Sequence, residues 1–400
     1  MFKADKNLKI LILGTCISSV GDWLNILALM TLVISFSSSG SVLSILMIVR
    51  ALPKIVLGPV IAGIIDRLDK KKILIAANVV SGIIVLFLPL SQNLLEIYII
   101  SFLLSTINIF VLPTISSIVP LIVEKDSLVA ANSLFSSANS IINIAAPIIS
   151  GVVLSLFNLS TGFYIDSFTF FIFSMLVILL KFSSSSKSAD EQYRFTRILS
   201  NSKAGFSFIL KNDKLKRVLQ GIFLANFTMG TIYVAEVIFF KNELNIMPNV
   251  YGQFLAAVGV GFLISSMIMN KLSRKYKLYS IFSIGIVILG IGVALFAMNT
   301  SLYLVVILLI VEGFGESLFT ISGTTIIQQN TDESNRSSIL TFNDSLSKSA
   351  FLVSMGAAGV MSDMIGSKYT LLAAGIISAL YIIVFLKNNG LDYYLEQKTY

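Results

Sequence analysis

Residues 54–91 read KIVLGPVIAGIIDRLDKKKILIAANVVSGIIVLFLPLS: two apolar runs joined by a short charged turn, Asp66 to Lys72. Neither run alternates polar and apolar residues, so the pattern is that of helices and not of barrel strands. At about 1.5 Å per residue, some 20 such residues span a hydrocarbon core of ~30 Å. The same pattern of long apolar run and short polar turn recurs throughout the 400-residue chain. Hydrophobic residues make up 56% of it and charged residues 12%, the latter about half the usual share. A mean hydropathy of +0.89 does not suit a surface that faces water. Disordered segments, disulfide scaffolds and nucleic-acid modules are excluded.

Twelve spans are expected, at 8–35, 41–65, 72–91, 95–119, 130–156, 161–181, 217–240, 250–270, 278–298, 301–325, 339–362 and 368–387. The first is expected to be a retained helix, because no small-residue cleavage site follows it. The fold class is therefore all-α integral membrane. With both termini in the cytoplasm, 24 of the 29 Lys and Arg fall on that side; Lys241 and Lys368 fall outside, Arg50 and Lys54 lie within span 2, and Lys348 lies within span 11. That asymmetry fixes the orientation and gives the net charge of +8 a topological meaning instead of a nucleic-acid one. The longest polar stretch, 182–215, separates an N-terminal half (1–181) from a C-terminal half (216–400). Its start, Ser183 to Ser188, reads as a flexible linker, and its later part, Ile198 to Ile209, as an amphipathic surface segment. The turn Asp66-Arg67-Leu68-Asp69-Lys70-Lys71 has a basic counterpart 204 residues on, Asn270-Lys271-Leu272-Ser273-Arg274-Lys275. Their matching place in each half indicates a parallel repeat about an axis normal to the membrane.

Several chemistries lack their residues. The chain has no His and one cysteine, Cys16, inside the first apolar run. Histidine triads, histidine relays, disulfides and Cys-rich metal sites are ruled out, and neither a metal nor a cofactor is expected. No Gly-rich phosphate loop ending in Gly-Lys-Ser/Thr occurs, and nothing resembles a channel filter. The chain is not expected to be an enzyme. What remains is secondary transport of a small molecule through the bilayer.

The chemistry-bearing residues are the ionisable groups inside spans: Asp22, Arg50, Asp166, Glu236, Glu312 and Glu316. A charge there costs a few kcal/mol or more, so such groups face the bundle interior. A carboxyl in such surroundings can exchange a proton near neutral pH. Asp22, near the middle of span 1, and Arg50 in span 2 can pair across neighbouring helices, as a switch or as a static packing pair. Glu312 and Glu316, four apart, share a helical face and suit either proton exchange or a wetted lining. Glu236 and Asp166 lie nearer the outer ends of their spans. Gly259, Gly261, Gly313 and Gly315 read as places of close helix approach.

The turn after span 2, Ala62-Gly63-Ile64-Ile65-Asp66-Arg67-Leu68-Asp69-Lys70-Lys71-Lys72, resembles the loop 2–3 signature of the major facilitator superfamily. Gly21-Asp22-Trp23, Arg50-Ala51-Leu52-Pro53, Gly58-Pro59, Ala131-Asn132-Ser133-Leu134 and Tyr164-Ile165-Asp166-Ser167 make it similar to the macrolide-efflux and enterobactin-exporter branch. There are departures. Gly63 comes one place late, after Ala62, and Asp69 replaces the second glycine. No basic residue occurs between Tyr98 and Val123, where many drug/proton antiporters carry an arginine. The span 5 antiporter motif survives as Ala146-Pro147-Ile148-Ile149-Ser150-Gly151, whose Pro147 and Gly151 bend or tighten the helix.

The resemblance implies two six-helix pseudo-symmetric halves rocking about a central site. It implies a gating loop of Ala62, Gly63, Asp66, Arg67, Lys70 and Lys71, whose Asp66 latches onto a helix N-terminus of the opposite half. It also implies a multi-pass exporter of the bacterial plasma membrane, working as a monomer on amphipathic drugs, macrolides or siderophore-like compounds with protons as coupling ion. An uptake or facilitated-diffusion carrier for a small polar solute, or a receptor or scaffold without flux, stays open as an alternative.

Overall fold

A computed structural model of the chain describes residues 6–124, 127–182, 213–331 and 333–387. The linker and amphipathic segment expected at 183–212 lie outside the described residues. Among those described there is no strand. The helices are α1 Lys6–Phe36, α2 Gly40–Arg67, α3 Lys70–Val85, α4 Leu94–Asn108, α5 Val111–Ile122, α6 Leu128–Leu156 and α7 Leu159–Ile178. They continue as α8 Asp213–Asn242, α9 Pro248–Lys275, α10 Leu278–Ala297, α11 Leu302–Gln329, α12 Glu333–Ile365 and α13 Ser367–Lys387.

Every one of the twelve apolar stretches carries helix. Only a helix satisfies its backbone groups internally where no water can. By length and hydropathy, 8 candidate membrane spans stand out among the described residues. The expected fourth span stands as one candidate crossing, Leu94–Ile122, but its helix divides into α4 and α5 at Ile109–Phe110. Pro113 is the cause: it has no N–H to offer the Ile109 carbonyl, and its ring crowds that carbonyl.

Polar residues set the other boundaries. Asp69, the departure from the family glycine, caps α3 by accepting hydrogen bonds from the N–H groups of Lys71 (2.9 Å) and Lys72 (3.2 Å). Asn93 caps α4 through the Glu96 N–H, and Glu96 reaches back to accept from the Gln92 N–H at 2.8 Å. Asn158 caps α7 through the Thr161 N–H at 2.9 Å. Each cap answers a donor that the first helical turn leaves open.

The helices gather into two compact units. Unit 1 comprises Met1–Ser38, Ile45–Phe195 and Met247–Gln253; unit 2 comprises Ser39–Ser44, Thr196–Ile246 and Phe254–Tyr400. In unit 1, α1 packs along α6 and α7, and α3 along α7. One end of this unit is an apolar cluster including Leu8, Leu11, Leu74, Ile118 and Phe173. Lys71 stitches it shut: its ammonium donates to the carbonyls of Ile178 and Leu180 at 2.8 Å each, where α7 ends. A cation there also meets the negative end of the helix.

In unit 2, α10 lies against α11 and α13, and α8 against α12 and α13. Small residues make these approaches possible. A Cβ on Gly290 would stand 2.6 Å from the Gly375 carbonyl oxygen, and one on Gly315 would stand 2.6 Å from the Leu289 nitrogen. Phe239, Phe240, Phe254 and Phe296 interlock beside them, with ring centroids 4.9–5.9 Å apart. Outward, side chains such as Met267 (81% exposed), Ile141 (69%) and Phe168 (64%) are bare. Surface of that kind is matched by lipid and not by water.

The first turn of α2, residues 40–44, belongs to unit 2, and the first turn of α9, residues 248–253, belongs to unit 1. Each arrives on glycines. Gly40 meets the Gly359 carbonyl on α12, and Gly252 meets the Pro147 carbonyl and Gly151 on α6.

Candidate functional site

Each unit holds its own group of ionisable side chains. In unit 1, α1 brings Asp22 and Asn25, α2 brings Arg50 and Lys54, and α7 brings Asp166. The Arg50 guanidinium donates to Asn25 Oδ1 at 2.9 Å, and its charge also acts on Asp22 and Asp166. Lys54, one turn on, acts on Asp22 as well. Asp166 is 0% exposed, and neither carboxyl oxygen has a hydrogen-bond partner. Asn25 faces it without closing a full bond, its Nδ2 likewise buried and unpartnered. Gly21 makes the site possible, since a Cβ there would stand 2.5 Å from Asp166 Oδ1. The complete burial of Asp166 does not follow from its place in the sequence.

This cluster sets two acids, one of them fully buried, against two bases, of which Lys54 is exposed. Moving one proton changes its balance of charge, and low dielectric amplifies the change. The spacing of residues singled out Asp22, Arg50 and Asp166 but passed over Asn25 and Lys54. The signal was present: Asn25 is three residues from Asp22, and Lys54 is four from Arg50, so each shares its neighbour's helical face.

In unit 2, α8 brings Glu236 and α11 brings Glu312 and Glu316. The structure separates the two acids of α11. Glu312 is 2% exposed and close enough to Glu236, itself 1% exposed, for their charges to interact. Glu316 instead opens onto a cavity of about 320 Å³ between α8, α11 and α12. Asn226, Asn343 and Thr324 supply polar wall, and Met229, Phe319 and Phe351 apolar wall. A concave site with apolar surface and a few convergent polar groups is the usual form of a small-molecule pocket. Asn226 and Asn343 escaped the sequence reading, which weighed charged groups only.

The gating-loop residues are divided. Lys70 is buried and Lys71 ties α3 to α7. Ala62, Gly63, Asp66 and Arg67 lie near the end of α2, and their side chains are outside the described residues. Pro147 and Gly151 form the α6 surface that Gly252 meets, and Gln253 donates to Ser155 Oγ at 3.0 Å beside them. Gly261 and Gly313 lie against the Ile310 and Val258 carbonyls, so they are contact glycines. Among the described residues no three acidic or cysteine side chains come together as a metal-binding group.

The chain matches the family model described as transmembrane secretion effector over residues 4–389. It belongs to that family, within the major facilitator superfamily. Members and relatives are membrane transporters and not enzymes. An uncharacterized MFS-type transporter of Bacillus subtilis (strain 168), YfiS, is 25% identical over 385 residues, covering 94% of this chain and 91% of that one. Macrolide efflux protein A of Streptococcus pyogenes is 20% identical over 358 residues, 87% of each chain. Among solved structures, the nucleoside transporter NupG superposes with a TM-score of 0.73 at 16% identity, over 96% of this chain and 99% of its own. A bacterial homologue of the iron transporter ferroportin gives 0.71 at 15% identity, over 95% and 98%. These likenesses show the major facilitator fold for this secretion-effector chain.

Proposed function

We propose that the protein exports an amphipathic small molecule from the cytoplasm by alternating access, with proton entry driving the return. The observation that carries this reading is the unit 2 cavity, whose lining combines an acid and amides with aromatic and thioether surface beside a buried carboxyl pair. Such a wall receives a molecule with one polar end and one oily end. Similarity to a macrolide efflux protein supports the outward direction. Carboxyls held away from water in both units supply proton-binding groups without any histidine. On this reading the halves 1–181 and 216–400 are joined through the linker 182–215. Twelve spans cross the plasma membrane with both termini inside, and one chain is the working unit.

The test is accumulation of radiolabelled erythromycin in cells with and without the protein. Export lowers the steady-state level in expressing cells, and a protonophore restores it. A raised level would favour an uptake carrier, and an unchanged level with any labelled compound tried would favour a receptor or scaffold.

A further inference from the structure

Taking the unit 2 cavity as the substrate site, on the reading above, we infer that its ligand is an amphipathic monocation, a lipophilic amine whose ammonium is held by Glu316. Among the described residues that line the cavity, Glu316 is the one charged side chain. It is given neither a hydrogen bond nor an ion pair by any described residue. On the neighbouring wall helix α12, Lys348 is exposed and taken by Asp344 at 2.5 Å, and the side chain of Arg336 is outside the described residues. The other ionisable groups packed nearby, Glu312 and Glu236, are acids too. A carboxylate facing a cavity with apolar walls gains from a cation that meets it there. Nothing described on the wall is positive, so the ligand brings that charge.

The neutral groups point the same way. Asn226 spends its amide N–H on the Ile222 carbonyl at 2.8 Å, and Thr324 spends its hydroxyl proton on the Thr320 carbonyl at 2.9 Å. Asn343 Oδ1 is buried without a partner. These acceptors stand with Glu316, beside donors that Asn343, Ser347 and Thr320 can also supply. An ammonium carries up to three donors and no acceptor, whereas a carboxylate or phosphate ligand would meet a repelling acid. The apolar wall completes the match. Phe319 and Phe351 line it, and Phe351 stacks against Tyr233 with centroids 5.6 Å apart. Aromatic faces accept both hydrocarbon and cations. At about 320 Å³ the cavity lies at the lower end of small-molecule sites, roughly 300–1,000 Å³, and admits a small arylalkyl amine as a probe.

The experiment compares three probes of equal length, phenylbutylamine, phenylbutanol and phenylbutyrate, binding to the purified full-length protein in lipid nanodiscs near neutral pH. The amine should bind at least about tenfold more tightly than the alcohol, as a charge-assisted hydrogen bond allows, and the carboxylate least. Glu316→Gln should remove the amine's advantage and leave the alcohol's affinity in place. Should that variant not fold, the ranking on the unaltered protein decides alone. Equal binding of amine and alcohol, tightest binding by the carboxylate, no binding of the amine, or an amine preference that survives Glu316→Gln overturns the inference. No gradient or direction enters this measurement. Export of a neutral or anionic compound would leave the transport reading standing while sinking this one, and amine binding without flux would do the reverse.

Discussion

Asp69 stands where the family signature has glycine, and its carboxylate caps α3. Asp69→Ala should lower stability by about 1 kcal/mol, and Asp69→Gly by only a few tenths; thermal unfolding in detergent measures both. Equal losses would mean that the cap contributes nothing. Asp363, at the end of α12 beyond its apolar stretch, receives hydrogen bonds from Ser39 Oγ (2.7 Å), the Gly40 N–H (2.6 Å), the Ser41 N–H (3.0 Å) and Ser41 Oγ (2.5 Å). Partial burial pushes its carboxyl upward, but these donors outweigh it and hold it below the usual aspartate range. A depressed acid contributes stability in full above its unfolded value of about 3.9, and loses it as pH falls through the lower native value. Hydrogen-exchange protection at Gly40 and Ser41 should therefore be steady at neutral pH and fall in acid. Asp363→Asn should leave it low at every pH; protection equal to the unaltered protein would contradict the assignment. The acids themselves were legible in the sequence, because charge inside an apolar run is conspicuous. Their surroundings were not. Spacing puts Glu312 and Glu316 on one face of α11, but it cannot say that one faces Glu236 and the other a cavity, since that depends on helices α8 and α12.

Helices follow from the apolar runs almost residue for residue; α1 was expected at 8–35 and spans Lys6–Phe36. The break at Ile109–Phe110 was missed because hydropathy does not fall there. The cause is the missing N–H of Pro113, a matter of backbone and not of polarity. Glycines read as contact points behave as such, but their partners lie on helices distant in sequence. That gives a test at this scale. Gly290 faces the Gly375 backbone, whereas Gly292, two residues on, meets the end of the Val311 side chain at 3.3 Å. Gly290→Ala should separate α10 from α13 and cost roughly 1–3 kcal/mol, the usual range for overpacking. Gly292→Ala should cost far less, because a side chain can give way where a backbone cannot. Thermal unfolding of both variants in the same detergent measures the difference, and similar losses would refute the close approach.

On the scale of the whole molecule, the two units carry different chemistry. Unit 1 has acids balanced by Arg50 and Lys54; unit 2 has Glu236 and Glu312 buried together, with Glu316 open to a cavity. On the proposed reading, unit 1 couples the proton and unit 2 receives the substrate. A proton on Asp22 would remove its attraction to Arg50 and Lys54, a change of order 1–3 kcal/mol, comparable with the gap between two conformations of one protein. Asp22→Asn imitates the protonated form. It should keep substrate binding and downhill exchange while losing accumulation and its dependence on pH. The most direct measurement uses inside-out vesicles of purified protein, radiolabelled erythromycin and an imposed pH step. An acid interior should drive accumulation that a proton ionophore abolishes and that Asp22→Asn never shows. Uptake that merely follows the erythromycin gradient, the same with and without the pH step, would contradict a proton-driven exporter.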